Sequence, residues 1–196
     1  MTGIPQHNFA GRPALILHRS EDAIRRVAER CERLGMRAAG HRRALEASEI
    51  DAAGMVIVDI DTGHDAALPW EPGRAPVPLI GLVGSESPGR LGWALGQGMD
   101  AFLPLSALGN LFSALVIAQA TYDRRSETMR AHAEAACQRA GRLDVIRAVN
   151  ALTQGGGDEA LGLKRLRTMA MVGQMTLEDA ARRVLAEPGA RRIGGR

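Results

Sequence analysis

Short runs of apolar residues alternate with amphipathic stretches through residues 14–108. Four runs have the length and composition of buried strands: ALILH (14–18), MVIVDID (55–61), VPLIGLV (77–83) and DAFLPL (100–105). Their alternation with helical patterns predicts an α/β domain that is built on a parallel sheet. A Pro/Gly-rich stretch, 69–78, predicts a loop between the second and third of these strands.

The amphipathic stretch after the first run predicts a helix with defined ends. Ser20 can cap it, and Glu21 and Asp22 follow in the first turn, where the helix dipole favours negative charge. Apolar residues then recur at helical spacing, at positions 24, 27, 31 and 34, and Gly35 can end the helix. A second, glycine-rich helix is predicted near RLGWALGQG (90–98).

A single long helix is predicted from residue 106 to about 154, because this stretch has no proline and little turn chemistry. Nine of eleven positions at alternating three- and four-residue spacing are apolar: 108, 112, 115, 119, 122, 126, 129, 133, 136, 140 and 143. Such a seam is typical of a left-handed coiled coil. It could instead pack on its own domain, but a helix this long outruns that domain. We therefore expect an intermolecular seam beyond Tyr122 and a homodimer.

The C-terminal region reads as a small three-helix unit that begins with the end of the long helix. Gly155, Gly156 and Gly157 break that helix, DEALGLKRLRTMAM (158–171) predicts the second, and Thr176 with Asp179 predicts the capped start of the third. The third helix has apolar residues at 177, 181, 184 and 185, and the pair Pro-Gly at 188–189 ends it. The predicted domains are therefore 1–107, the coiled-coil helix 108–142, the three-helix domain 143–188 and a basic flexible tail 189–196.

Composition narrows the function classes. A hydrophobic content of 45% with 24% charged residues is typical of a globular protein, and the longest apolar run, 114–118, is too short to cross a bilayer. No secretory signal is visible, and two cysteines make neither a disulfide framework nor a metal-binding pattern, so we expect a cytoplasmic protein without a membrane partner. Because no nucleophile–base pair or phosphate-binding loop is evident, we expect no enzyme activity, catalytic residue, cofactor or metal site.

Charge and periodicity together mark the second helix of the tail. Residues 139–196 carry a net charge of +5, whereas residues 1–138 carry −2. On a helical wheel, one arc is apolar or small: Gly162, Leu163, Leu166, Met169 and Ala170. The opposite side holds Lys164 (the only lysine), Arg165, Arg167, Thr168 and Met171. The pattern predicts a helix that packs on one side and offers positive charge to a polyanion on the other. Met169 and Met171 are both expected to pack in the core rather than to contact bases.

The α/β order along the chain, with Asp59 in the run VIVDI (56–60), resembles the receiver domain of two-component response regulators. In that family this aspartate accepts a phosphoryl group, an acidic pair after the first strand holds Mg²⁺, a Ser/Thr follows the fourth strand and a lysine follows the fifth. Here the corresponding residues are His18 and Arg19, Val83, and Pro104 with Leu105. Glu21 and Asp22 are better explained as helix-start charges, and neither His18 nor His64 with Asp65 has a third ligand. We therefore expect a pseudo-receiver in which Asp59 is a vestigial phospho-acceptor that serves as a turn or cap group.

Three segments of the tail resemble the ANTAR domain of transcription antiterminators of the AmiR, NasR and NasT type: IRAVNALTQ (146–154), GLKRLRTMAM (162–171) and TLEDAARRVL (176–185). The matching positions are Ala148, Leu152, Leu166, Ala170, Met171, Leu177, Ala181, Val184 and Leu185. LVGSESP (82–88) also resembles a run in AmiR-like proteins. Two features depart from the family pattern: Val149 replaces a lysine, and the loop GGGDEALG (155–162) is shorter than usual, with Gly162 where alanine is usual.

The resemblance implies a dimer that binds stem-loops in a nascent leader RNA and lets RNA polymerase read through a terminator, often under a ligand-sensing negative regulator. The expected RNA-binding residues are Arg147, Lys164, Arg165, Arg167, Thr168, Arg182 and Arg183. Two alternatives remain. One is a protein–protein signalling regulator whose tail has lost RNA binding, and the other is a phosphorylatable response regulator.

Overall fold

The computed structural model describes residues 8–85, 87–153 and 158–187. The chain divides into two compact units, Met1–Glu127 and Thr128–Arg196, which are described separately below. The predicted domain boundaries at 107, 142 and 188 remain predictions.

The N-terminal unit contains a parallel sheet with the strand order β2-β1-β3-β4-β5. Its strands are β1 Pro13–Leu17, β2 Arg37–His41, β3 Met55–Asp59, β4 Leu79–Val83 and β5 Ala101–Pro104. This is the doubly wound, flavodoxin-like order that receiver domains share, and the predicted fold class is confirmed. Four of these strands lie within a few residues of their predicted positions, whereas β2, at the edge of the sheet, was not predicted.

The helices are α1 Glu21–Arg33, α2 Ala47–Ile50, α3 Pro88–Gly96, α4 Leu111–Leu152, α5 Glu159–Val172 and α6 Leu177–Ala186. The expected cap of α1 is confirmed, since the Ser20 side chain accepts a hydrogen bond from the backbone N–H of Ala23 at 3.3 Å. The predicted long helix begins later than expected, because Leu105–Asn110 forms 3₁₀ turns before α4 starts.

Both faces of the sheet are covered. One carries α1 and the first turns of α4, which bury Leu111, Ala114, Leu115 and Ala118 against the strands. The other carries α2, α3 and the loop between β3 and β4, where only Asp65–Ala67 forms a short 3₁₀ turn. Among the described residues, the helical stretch Leu105–Leu152 is long and apolar enough to cross a membrane, judged by length and composition alone. One such helix is weak evidence for a membrane span. Its charge-free part, 105–122, contains the four residues that pack on the sheet.

A buried ion pair fixes α4 near the point at which it leaves the sheet. The Arg125 guanidinium donates to Asp100 Oδ2 at 3.0 Å, and the side chain of Asp100 is only 1% exposed. The same guanidinium donates to the carbonyl of Gly73 at 3.2 Å, and the hydroxyl of Tyr122 donates to the carbonyl of Pro76. Two residues of α4 that lie one turn apart thus hold the Pro/Gly-rich loop in place.

The C-terminal unit is a three-helix cluster formed by the last part of α4 with α5 and α6. Its core consists of Ala148, Val149, Leu166, Ala170, Ala180, Ala181 and Val184. Thr176 caps α6 as predicted, because its hydroxyl accepts from the N–H of Asp179 at 3.1 Å. The predicted break at Gly155, Gly156 and Gly157, the stop at Pro188 and Gly189 and the tail 189–196 lie outside the described residues.

Between its two packed ends, α4 has a stretch with no buried side. Every residue from 127 to 140 is exposed, including the apolar Met129, which is 44% exposed. A helix of this composition with no packed face gains little from burial, and most helical stability in proteins comes from packing. This stretch, 127–140, is called the bare segment below.

Candidate functional site

Asp59 lies at the carboxyl end of β3, where a receiver domain has its phospho-acceptor, but its carboxylate is engaged by its own loop. The residue is 5% exposed. One carboxylate oxygen accepts from the backbone N–H of Asp61 at 3.0 Å, and the other accepts from the hydroxyl of Thr62 at 2.6 Å. This is the pattern of an aspartate that stabilises a turn.

His18 lies beside this carboxylate, in the position of the missing acidic pair. The backbone N–H of Ser20 donates to His18 Nδ1 at 2.9 Å, so the neutral imidazole carries its proton on Nε2. Nε2 faces Asp59 Oδ2 at 3.7 Å. The imidazole therefore presents a donor where Mg²⁺ would need a hard oxygen ligand. Among the described residues there is no group of three side chains that could hold a metal ion.

A second carboxylate, which sequence reasoning missed, joins the loops after β3 and β4. Asp61 Oδ2 accepts from the N–H groups of Gly84 and Ser85 at 2.8 and 3.0 Å, and Oδ1 accepts from the hydroxyl of Ser85 at 2.6 Å. The hydroxyl in this loop thus bonds Asp61 rather than reaching Asp59. A Cβ atom at Gly84 would lie 2.5 Å from Asp61 Oδ2, so a side chain there would displace this carboxylate.

The structure places the predicted RNA-binding residues on three helices of the C-terminal unit. Arg147 is on α4, Arg182 and Arg183 are on α6, and the remaining four are on α5: Lys164, Arg165, Arg167 and Thr168. All seven are exposed, whereas the apolar arc of α5 packs into the core as predicted. The 3.6-residue period therefore located both faces of α5.

Three of the arginines have partners within the unit. Arg147 pairs with Asp144 at 3.6 Å and Arg182 with Asp179 at 2.8 Å, in both cases one turn away on the same helix. Arg165 donates to the carbonyl of Leu152 at 3.2 Å. The hydroxyl of Thr176, followed by the charge of Arg182, holds the pKa of Asp179 below its usual range, so this carboxylate is charged at neutral pH.

Lys164, Arg167 and Arg183 form no ion pair with any described residue, and these three cations are called the basic face below. The hydroxyl of Thr168 donates to the carbonyl of Lys164 at 3.0 Å, one turn back on α5. Unpaired, exposed cations keep their full charge available for a polyanion.

The prediction that Met171 packs in the core is wrong. Met169 does pack against the core, but Met171 is 77% exposed and Val172 is 79% exposed. Met171 follows Ala170 by 100° on the helix and so lies beyond the buried arc. The core position is taken instead by Met175, which folds back from the turn after α5.

Val149 and Gly162, the two residues that depart from the ANTAR pattern, lie against each other. Val149 is 9% exposed and contributes to the core rather than to the surface. A Cβ atom at Gly162 would lie 3.0 Å from the carbonyl oxygen of Val149, 3.1 Å from its Cγ1 and 2.7 Å from Thr153 Cγ2. The missing methyl group at 162 thus makes room for the branched side chain at 149.

No family model matches this sequence, and a search of curated proteins finds no match either. Solved structures of similar fold include a pilus assembly-related protein from Burkholderia pseudomallei (15% identity, 59% of this chain and 94% of that one, TM-score 0.46). They also include a CheY-like response regulator from Mesorhizobium loti (14%, 55% and 98%, 0.43) and the chemotaxis response regulator CheY4 of Vibrio cholerae (12%, 53% and 98%, 0.40). At these scores the fold assignment rests on the strand order of the sheet.

Proposed function

We propose that this protein is a dimeric, RNA-binding transcription antiterminator whose receiver-like domain works without phosphorylation. It binds stem-loops of a nascent leader transcript through its C-terminal helices, and RNA polymerase then reads through a terminator. The observation that carries the proposal is the basic face, because three exposed cations without ion-pair partners lie on the side of α5 and α6 that faces away from the core.

Folded RNA is a suitable target for such a surface. Cationic side chains on a helix attract the phosphate backbone, and the unstacked bases of a loop are accessible to side chains, whereas bases in the deep groove of A-form RNA are not. The resemblance to ANTAR domains in all three helices supports the same target. Regulation by a ligand-sensing partner protein, as in that family, would act through the receiver-like domain.

The bare segment supports the dimer. Its seam positions 129, 133, 136 and 140 continue the period of the helix, and small alanines occupy the last three. A second copy of this helix would bury the seam that the single chain leaves exposed.

Charge reversal tests RNA binding. We expect the double variant Lys164→Glu/Arg167→Glu to lose affinity for selected RNA hairpins by about a hundredfold or more, because two phosphate contacts become repulsive. The matched control is Arg19→Glu/Arg33→Glu, which changes the net charge equally at two exposed arginines of the N-terminal unit. Mobility shifts with hairpins that were selected from a pool with randomised loops would measure both. Equal affinity of the two variants would reject the basic face as the RNA site.

A second function is favoured by the arginines that are already engaged. Because Arg147, Arg165 and Arg182 have partners within the unit, the tail could serve a protein–protein regulator that does not bind RNA. The absence of any hairpin selected by the wild-type protein at moderate salt, together with a sensor protein that co-purifies with it, would favour this alternative.

A further inference from the structure

A groove lies in the C-terminal unit between the end of α5 and α6. Its volume is about 330 Å³. Its lining combines the apolar side chains of Met169, Val172 and Met175 with the polar side chains of Thr168, Arg183 and Glu187. Val172 lines the groove and is 79% exposed. Its neighbour Met171 is also exposed, so apolar surface is open to solvent here.

We infer that this groove holds one unpaired base of the bound RNA, an inference that rests on the proposed function. A nucleobase is flat and apolar on its faces and polar at its edge, which matches a lining of both apolar and polar side chains. Proteins that read RNA commonly take up a base that has left the stack. The unit has no Phe, Tyr or Trp among positions 128–187, and its one histidine there, His132, does not line the groove. The two methionine thioethers can make favourable contacts with a ring.

The surrounding charge fits a base that is still attached to its backbone. Lys164 and Arg167 precede the groove residue Thr168 on α5, and Arg183 lines the groove itself from α6. A nucleotide in the groove would therefore place its flanking phosphates next to the basic face. Phosphate contacts fix the position of a nucleic acid, and the groove would add a contact that depends on the base.

The polar side chains that line the groove also predict which bases it prefers. Glu187 is exposed at the groove, and a carboxylate can only accept hydrogen bonds. Cytosine and adenine present an amino group on the edge that pairs, whereas uracil presents one N3–H between two carbonyl oxygens that the carboxylate repels. The groove should therefore prefer an amino-bearing base to uracil.

Methyl NMR of the full chain with labelled methionines tests the groove directly. Titration with CMP or AMP at millimolar concentrations is expected to shift the signals of Met169 and Met175 but not those of Met36 and Met55, which are buried in the N-terminal unit. Ribose 5-phosphate, which has no base, is the control. Absence of shifts at Met169 and Met175, or equal shifts with ribose 5-phosphate, would overturn the inference.

The base preference is tested by an isosteric variant. Wild type is expected to prefer CMP to UMP by about fivefold or more, and Glu187→Gln is expected to bring this ratio close to one, since an amide can donate as well as accept. Glu159→Gln, a change at another exposed glutamate of the unit, should leave the ratio unchanged. A ratio near one in the wild type would overturn the preference.

A separate assay distinguishes the two proposals. If the wild-type protein retains hairpins from the randomised pool while neither CMP nor the retained RNA shifts Met169 and Met175, the groove inference fails and RNA binding stands. If no hairpin is retained but CMP shifts both methionines, RNA binding fails and the groove remains a site for a nucleotide base.

Discussion

Asp59 occupies the position of a phospho-acceptor, but its surroundings do not support phosphorylation. The loop after β3 supplies it with two donors, and His18 presents a third polar hydrogen where an acidic ligand would be needed. A carboxylate that already accepts hydrogen bonds from its own turn stabilises that turn, and residues 1–127 include no lysine that could hold a phosphorylated product.

We expect no phosphorylation of Asp59. Incubation of the full chain with a small phosphodonor and Mg²⁺ should leave its intact mass unchanged. Asp59→Asn should lower the free energy of unfolding by about 1 kcal/mol, because the amide cannot reproduce both accepting oxygens. A mass increase of one phosphoryl group in the wild type that Asp59→Asn abolishes would show instead that the receiver chemistry is intact.

The close approach of Gly162 to Val149 predicts that alanine at this glycine destabilises the protein. Alanine at a glycine with open space around it should instead stabilise the protein. Gly162→Ala should destabilise the C-terminal unit by about 1–3 kcal/mol, because the new methyl group meets the backbone oxygen of Val149 and the stiff side chain of Thr153. Gly92→Ala in α3, where a Cβ atom would meet nothing within 4 Å, should stabilise by about 0.5–1 kcal/mol. Thermal unfolding followed by circular dichroism would measure both. Stabilisation by Gly162→Ala would show that α5 can move away from α4 without cost.

At the scale of elements, the Arg125–Asp100 pair decides how α4 is held to the sheet. Arg125→Met should destabilise the N-terminal unit by about 3 kcal/mol, because Asp100 would be left as a buried charge without its partner. Arg33→Met, at an exposed arginine, is the control.

The effect of Arg125→Met should also depend on pH. Burial already raises the pKa of Asp100, against the opposing effects of the Leu79 N–H and Arg125. Without the guanidinium this pKa rises further, so the carboxyl is protonated in the folded variant at a higher pH than in the unfolded chain. The loss of stability should therefore be larger at pH 7 than at pH 5. Denaturant unfolding at the two pH values would measure it, and an equal loss at both would contradict the role of the buried charge.

The bare segment predicts where the dimer forms. Ala136 lies on the seam and Ala131 on the opposite side of the same helix, and both are exposed. Ala136→Glu should shift the dimer towards monomer, because two carboxylates would meet at the seam, whereas Ala131→Glu should not. Sedimentation velocity would separate the species. A dimer that survives Ala136→Glu would place the interface elsewhere.

The strands that were predicted from the sequence are more deeply buried than the strand that was missed. β1, β3 and β4 are buried on both faces, and their continuous apolar runs marked them. β2, with the sequence RAAGH, is largely exposed at the edge of the sheet and has no such run. Its Gly40 lies under Ile24 of α1, where a Cβ atom would be 2.1 Å from Ile24 Cγ2, and that requirement comes from tertiary packing.

At the scale of the whole molecule, the features of the candidate sites that follow from the helical period could be predicted from the sequence. The 3.6-residue pattern separated the packed side of α5 from its basic side. It could not show that Arg147, Arg165 and Arg182 bond to neighbours, since these contacts depend on side-chain geometry. The Asp61–Ser85 contact and the α5–α6 groove join residues that are distant in sequence, so neither left a local signal.

A dimer with one basic face per chain should bind paired hairpins far more tightly than single ones. When one C-terminal unit has bound, the second hairpin of the same RNA is at a high effective concentration near the other unit, which can raise the affinity about a hundredfold without any new contact. We therefore expect Ala136→Glu to reduce affinity for a tandem of two selected hairpins by about that factor, while affinity for one hairpin stays within about twofold. Ala131→Glu should match the wild type on both RNAs. If Ala136→Glu were monomeric and still bound the tandem RNA as tightly as the wild type, each chain would act alone and the long helix would serve another purpose than pairing two RNA-binding units.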